Sequence, residues 1–256
     1  MNKAPLYILA VGILVGAVGG LVYWYKTKAP AVEAPVDTVL VPGAKDDSRT
    51  ISEAGQYFKI KARVPVESTL ASTAGTEASN KAVALMETSI EAQVAEFKKQ
   101  DISWLTDRPE SESYPLEFDA NYSITENSHL ISYDFQIYQF AGGAHGGTVA
   151  ETYTFDKKTG KRVQLADLFV SGSPYLERIS AHAKARLLAT LGEYKDEKWI
   201  TEGTTPTEKN FQSFLVDGDN LTIIFGQYQV GPYVLGMPEI QAPLSTLSDI
   251  LKPEYR

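Results

Sequence analysis

From residue 58 to residue 66, Phe58, Ile60, Ala62, Val64 and Val66 alternate with Lys59, Lys61, Arg63 and Pro65. A period of two sends the two sets to opposite sides of the backbone, so the segment predicts a strand with one buried and one wet face. The period then changes. Val83, Met86, Ile90, Val94 and Phe97 recur three or four residues apart, which predicts a helix over residues 76–100 with an apolar stripe. Alternation returns at Tyr114, Leu116, Phe118, Ala120, Tyr122 and Ile124, and again at Ile131, Tyr133, Phe135 and Ile137. The turn-forming residues Glu126, Asn127 and Ser128 lie between these runs, so the pair predicts a long antiparallel hairpin. The phase slips at Tyr138 and Phe140, where a bulge is expected.

After the glycine-rich run AGGAHGG (141–147), Val149, Tyr153 and Phe155 mark another strand. Residues 156–160, DKKTG, predict a hairpin turn with Gly160 at positive φ. Ser173 and Pro174 predict a helix start, with Ser173 as N-cap and Pro174 first in the helix. Leu176, Ile179, Ala183, Leu187 and Leu191 supply the buried stripe of that helix. A second hairpin is expected from 211–216 and 221–225 about the turn Asp217-Gly218-Asp219-Asn220. A short strand is expected near Glu239 and Ile240, then a last helix capped by Ser245 and closed before Pro253. Hairpins dominate and no strand–helix–strand run stands out. The expected class is α+β, with antiparallel sheets and packed helices.

One segment before all of this has no period at all. Residues 6–25, LYILAVGILVGAVGGLVYWY, contain no charge over twenty positions. As a helix they would span about 30 Å, the thickness of a bilayer's hydrocarbon core. Tyr23, Trp24 and Tyr25 suit the interface, and Lys26 and Lys28 follow as anchors. The run is too long, and its end too bulky, for a cleaved signal peptide, so one N-terminal transmembrane helix is expected. It would leave residues 1–5 as a short cytoplasmic tail and contact membrane lipid through 6–25. Gly12, Gly16 and Gly20 form a GxxxGxxxG stripe that would let two helices pack closely as a homodimer; glycine's ordinary abundance in membrane helices is the simpler explanation. Residues 26–50, with Pro30, Pro35 and Pro42, read as an extended linker.

Composition sharpens the picture in two respects. The formal net charge is −8, but the three bases within residues 1–28 leave 21 basic and 32 acidic side chains beyond them, a net −11. Such a domain is repelled by nucleic acid, and no nucleic-acid partner is expected. There is no cysteine, which removes disulfides, thiolate metal sites and cysteine nucleophiles together.

The run YQFAGGAHGGT (138–148), a hairpin with D-x-x-T-G, LADLF (165–169) and a helix, then FGQYQVGPYVLGMPEIQAPLSTL (225–247), together resemble a bacterial envelope family. The chain is similar to the DUF3298 family over 143–256, with a DUF4163-like α+β part over 51–142, as in RsiV-like and PdaC-like extracytoplasmic proteins. The resemblance implies a single-pass protein of the cytoplasmic membrane with its C-terminal domain outside the cell. It implies recognition of a cell-envelope component, peptidoglycan or a wall-active protein of the lysozyme type. RsiV-like anti-sigma activity is not expected, since five residues precede the apolar run. PdaC-like deacetylation is not expected either, since no deacetylase domain follows before Arg256.

His145 stands among Gly142, Gly143, Gly146 and Gly147, where glycines let a ligand approach the backbone and leave an imidazole exposed. The reading preferred on general grounds is that the same glycines permit a sharp crossover between strands, with His145 hydrogen-bonding the loop in place. Tyr228 and Tyr233, in a segment with Gly226, Gly231, Pro232 and Gly236, offer contact area at low entropic cost, or pad a sheet edge. The candidate ligand-binding residues are therefore His145, Gly143, Gly146, Tyr228 and Tyr233. His129 and His182 share no metal-ligand spacing with each other, and Asp217–Asn220 lacks the rest of a calcium loop, so neither a metal nor a cofactor is expected. Glu110 and Glu112 lie in a Ser/Pro-rich loop and read as solvated carboxylates. No catalytic residue is assigned. The rival expectations are a cell-wall-modifying enzyme using His145 and a membrane-tethered assembly protein.

Overall fold

Six strands form the larger of two sheets. In the computed structural model, which describes residues 48–66, 76–106 and 114–256, they run β1 (Ser48–Ala54), β2 (Phe58–Pro65), β3 (Leu116–Glu126), β4 (Leu130–Phe140), β5 (Gly147–Asp156) and β6 (Arg162–Val163), in that order across the sheet. The apolar run 6–25 with Gly12, Gly16 and Gly20, nearly all of the linker, and Glu110 and Glu112 lie outside the described residues. Among the described residues no helix is long and apolar enough to cross a membrane.

Helix α1 (Thr76–Phe97) packs on one face of this sheet, as its stripe requires. Met86, Ile90 and Phe97 meet Ile60 and Val64 of β2, Phe118 and Tyr122 of β3, Tyr133, Phe135 and Ile137 of β4, and Tyr153 and Phe155 of β5 in one buried cluster. Each strand residue named here belongs to the apolar half of an alternating run. That periodicity follows the pleat directly.

Three expectations for this half are corrected. Strand β1 takes in the last three residues of the expected 26–50 linker and carries no alternation, because only Ile51 of SRTISEA turns toward the core at a sheet edge. Its polar side chains are used instead: Arg49 pairs with Glu87 and Glu91, and Glu53 with Lys98 at 2.6 Å, which ties the edge to α1 and the turn after it. Strands β2 and β3 pair in parallel, Phe58 opposite Leu116 through Ala62 opposite Ala120, so β2–α1–β3 is a crossover unit and the sheet is mixed rather than antiparallel. The crossover was hidden because its strands are half-wet and therefore alternate, unlike the continuous apolar runs of fully covered parallel sheets. No bulge occurs at Tyr138 or Phe140; pairing is unbroken from Glu126–Ile131 to Glu117–Phe140, and both rings simply face the other side of the sheet.

That other side carries the second sheet, β7 (Phe214–Asp217), β8 (Asn220–Ile224) and β9 (Glu239–Pro243). Edge strand β7 lies against β3, β4 and β5. An edge strand leaves backbone groups unpaired, and burying them without partners is costly. Here hydroxyls of the large sheet take them up. Ser132 Oγ accepts from Val216 N at 3.0 Å, Thr152 Oγ1 accepts from Phe214 N at 3.1 Å, and Thr125 Oγ1 donates to Val216 O at 3.1 Å. Helix α3 (Tyr175–Thr190) covers the apolar face of the small sheet, with Ile179, Ala183 and Leu187 buried and Leu176 and Leu191 partly so. A short helix α2 (Ser103–Thr106) follows α1, and α4 (Glu197–Gly203) follows α3.

Two helix caps also differ from expectation. Pro174 itself occupies the N-cap of α3, and the Ser173 hydroxyl is buried without a partner rather than capping. Ser245 sits inside a 3₁₀ turn, Leu244–Leu247, that makes no side-chain cap and does not grow into a helix. The chain instead returns to Phe169, which bridges Leu251. Both turns are placed by tertiary contacts that outweigh the local capping preference.

Candidate functional site

Gly146 is the hub on which the sequence-distant candidates converge. It immediately precedes β5, which pairs with the end of β4, and the ring of Tyr138 lies directly against it. A Cβ at Gly146 would lie 2.5 Å from two ring carbons and the phenolic oxygen of Tyr138, so only glycine fits without displacement. The Gly146 N–H bonds the Tyr138 oxygen. Its carbonyl is shared: His145 Nδ1 lies 2.8 Å away, and the Tyr233 hydroxyl donates at 3.1 Å.

The rings follow from these bonds. The imidazole of His145 lies 4.2 Å from the Tyr233 ring at 30°, and Tyr228 lies 5.7 Å beyond at 35°. Because a carbonyl can only accept, His145 Nδ1 must carry the proton in the neutral ring, which leaves Nε2 a bare acceptor. His145 is exposed, Tyr233 half-buried, and Tyr228 50 % exposed. Burial pushes the Tyr138 phenol above its usual range, with the nearby Glu117 carboxylate adding to the effect.

The loop bearing Tyr228 and Tyr233 is held from beneath. Thr148 N donates to Gln227 Oε1 at 2.9 Å, and Gln229 Nε2 donates to the carbonyls of Gly203 and Asn210 at 3.0 and 2.9 Å. Gly203 in the last turn of α4 permits this approach, since a Cβ there would sit 2.1 Å from Gln229 O. Tyr228 has φ +64°, the one non-glycine residue with positive φ among the described residues. Trp199 Nε1 fixes that conformation by donating to Tyr228 O at 2.7 Å.

Gly143, at φ +98°, has nothing within 4 Å of where a Cβ would stand and opens the loop to solvent. His129 and His182 lie apart from the cluster; His182 Nε2 bonds Gln241 O at 3.0 Å, and the His129 backbone helps close a turn. Among the described residues no three His, Cys, Asp or Glu gather as metal ligands. The run 217–220 is a tight β7–β8 turn with Gly218 at φ +53°.

Sequence reading missed Tyr138, Trp199 and Gln227. The slip in alternation at Tyr138 is the one sequence signal that its face differs. It also missed Asp134, a buried acid on the same face as Tyr138, whose Oδ2 accepts from Gln136 at 2.6 Å while Oδ1 has no partner. Burial, with Glu239 nearby, pushes Asp134 up to about 6, and burial raises Glu239 as well.

Known proteins place these halves. Residues 51–148 match the family model described as "Deacetylase PdaC", and residues 166–245 match that of DUF3298, a protein family of unknown function. The peptidoglycan-N-acetylmuramic acid deacetylase PdaC of Bacillus subtilis is 31 % identical over 140 residues, which is 54 % of this chain and 30 % of that protein. The chain thus spans under a third of that relative's length. Crystal structures of DUF3298 family members from Bacteroides fragilis and Pseudomonas aeruginosa share the fold, at TM-scores of 0.52 and 0.56 and identities of 18 % and 16 %. Each alignment covers 81 % of this chain and 93 % or 95 % of the other. His145 and Gly146 fall in the first matched segment and Tyr228 and Tyr233 in the second, so the cluster is built where the segments meet. Residues 51–148 are therefore similar to a PdaC-like domain and residues 166–245 to a DUF3298 domain.

Proposed function

We propose that this protein is a non-catalytic recognition module that binds cell-wall glycan, held at the outer face of the cytoplasmic membrane by residues 6–25. The observation that carries the reading is the convergence of His145, Tyr233 and Tyr228 on Gly146 as an exposed polar-aromatic cluster. Aromatic faces stack on the apolar faces of sugars, and the exposed His145 adds a polar ring beside them that can hydrogen-bond hydroxyls. The likeness to a peptidoglycan deacetylase over the PdaC-like domain supports a cell-wall role. Catalysis by His145 has less support: its imidazole bonds a backbone carbonyl, and among the described residues no carboxylate is seen to orient it as a base.

The net −11 beyond residue 28 favours a second reading, a basic wall-active protein of the lysozyme type as partner. Immobilised full-length protein in detergent micelles, challenged with soluble peptidoglycan fragments and with lysozyme, separates the two. Glycan binding by stacking persists at high salt, whereas capture of a basic protein falls steeply with ionic strength. Retention of neither ligand at low salt sinks both readings. Protease added to spheroplasts tests the location, which fails if residues 50–256 stay intact while external markers are cut.

A further inference from the structure

Strand β1 stands at one end of the six-strand order, and its seven residues make the longest open edge among the described residues. The other edges are short or occupied. β6 has two residues, β7 is bonded by hydroxyls of the large sheet, and β9 ends in Pro243 and gives Gln241 O to His182 Nε2. On β1, no hydrogen bond among the described residues reaches the backbone from the side away from β2.

The hairpin fixes which groups face that side. Gly55 N bonds Phe58 O at 2.9 Å, so these two form a hydrogen-bonded pair. Antiparallel pairs alternate between bonded and unbonded, so Glu53, Ile51 and Arg49 bond β2 at Ile60, Ala62 and Val64. Ser48, Thr50, Ser52 and Ala54 take the unbonded positions and turn their N–H and C=O groups outward. Pro65, which has no N–H to give, sits opposite Ser48, as that alternation requires.

Bare edges invite pairing, and charges on them usually prevent it. The two charges of β1 are of opposite sign and share one face. Arg49 meets Glu87 and Glu91, Glu53 meets Lys98, and Ile51 between them turns to the same α1-covered core. In an antiparallel copy of β1 centred on Ile51, Arg49 stands opposite the partner's Glu53, and Glu53 opposite the partner's Arg49. These fall at unbonded pairs, where side chains approach most closely. Thr50 then faces the partner's Ser52 and Ser48 the partner's Ala54, all outward-turned, so the backbones bond at each. A slip of two residues either way sets a charge against Ile51, and a slip of one turns outward groups against inward ones.

We propose that β1 pairs antiparallel with β1 of a second copy of this chain, joining two six-stranded sheets across a twofold axis at Ile51. The axis is perpendicular to the sheet, so both α1 helices lie on one face. Charges that would turn away an unrelated strand admit this one.

The chain has no cysteine, so a single introduced thiol reports the contact. Ile51→Cys in the full-length protein, in an excess of detergent micelles, is expected to give a disulfide-linked dimer under mild oxidation. Thr50→Cys, on the other face and opposite Ser52 rather than itself, should give about tenfold less. If Ile51→Cys lowers the thermal midpoint, Ser48→Cys mixed with Ala54→Cys carries the thiols instead, bridged by a short bis-maleimide. Adding Ser52→Pro removes an outward N–H and spares the β1–β2 ladder, so the linked dimer should vanish with little change in midpoint. Should the proline unfold the strand, Thr50→Lys with Ser52→Lys sets lysine against lysine twice and must abolish the dimer. No linked dimer from either thiol arrangement overturns the pairing. A dimer that survives both blocks overturns it as well, and assigns the contact to another part of the chain.

Discussion

The two faces of the large sheet hold the molecule together by different physics. On the α1 face, side chains such as Tyr133, Phe135, Ile137 and Phe155 are buried against Met86, Ile90 and Phe97, and the adhesion is non-directional. On the opposite face Ser132, Thr152 and Thr154 are also buried, but Ser132 and Thr152 accept from the open edge of β7 and Thr154 bonds Ser132. The first face needs volume and hydrophobicity, while the second needs atoms at particular places. An apolar face therefore decides which side of a sheet is inside, and a hydroxyl-bearing face decides where a second sheet can dock.

The comparison is broken most severely by emptying the first face. Phe135 is fully buried and packs edge-on to Tyr153 at 5.9 Å. Phe135→Ala should cost roughly 3–5 kcal/mol through lost transfer energy and the cavity left behind. Urea unfolding followed by far-UV circular dichroism would read this as a lower midpoint with little change in slope. A loss below 1 kcal/mol would mean that the α1 face is not the main source of cohesion.

The second face contains a weakness that the first lacks. Asp134, 7 % exposed, faces the charge of Glu239 and leaves Oδ1 unpaired. Its acid group ordinarily titrates near 3.8 and is pushed up to about 6 here, so the folded protein holds this proton more tightly than the unfolded chain does. The support it lends folding is complete below about pH 4 and is lost as pH rises through about 6. Asp134→Asn should therefore stabilise the protein by roughly 2 kcal/mol at pH 7 and have little effect at pH 3.5. Thermal midpoints of the two proteins across pH 3.5–7.5 should diverge through this window. Parallel curves would show that Asp134 does not titrate as an isolated buried acid.

Ser132 sharpens the comparison at smaller scale. Its hydroxyl contacts both Val216 N at 3.0 Å and Thr154 Oγ1 at 3.0 Å. Ser132→Ala leaves a buried backbone N–H without its acceptor and should cost about 1–2 kcal/mol. Hydrogen exchange should show the loss locally, with faster exchange at Val216 than in β3. Uniform acceleration across both sheets would mean that the β7 junction is not separable from the main core.

The difference between the faces also explains what the sequence made legible. Alternation revealed β2 to β5, and the helical stripe revealed α1, because burial of one apolar face leaves its period in the residues. The second face left a misleading trace. Ser132, Asp134, Thr152 and Thr154 look like solvent-facing residues by type, and nothing local states that β7 covers them. The parallel β2–β3 pairing was invisible for a related reason, since wet strands alternate whether their neighbour is parallel or antiparallel. At the site, the glycines about His145 and the Tyr/Gly/Pro run were recognisable as unusual. Their meeting was not, because it depends on Gly146 O accepting from Tyr233, 87 positions away. Trp199 carried no signal, being a single aromatic on a short helix.

The smallest expected effect separates strain from contact at the site. Tyr228 adopts φ +64°, a region that a side chain with a Cβ enters at some cost and glycine enters freely. Its carbonyl is bonded by Trp199 Nε1, and its ring is 50 % exposed, so the strain is not offset by burial of the ring. If the backbone shape alone mattered, glycine would serve there better than tyrosine. Tyr228→Gly relieves the strain but also loosens the unfolded chain, and these effects oppose each other. The net change in stability should therefore be under about 1 kcal/mol in either direction, with the Trp199 bond kept. Glycan affinity should fall in the same variant, because the ring that faces solvent is gone. Tyr228→Asn tolerates the same backbone, carries a polar group and lacks the ring, so it should reproduce the loss of binding without glycine's added flexibility. Retained affinity in both variants would assign the exposed ring no part in recognition and leave Tyr233 and His145 as the working face of the cluster.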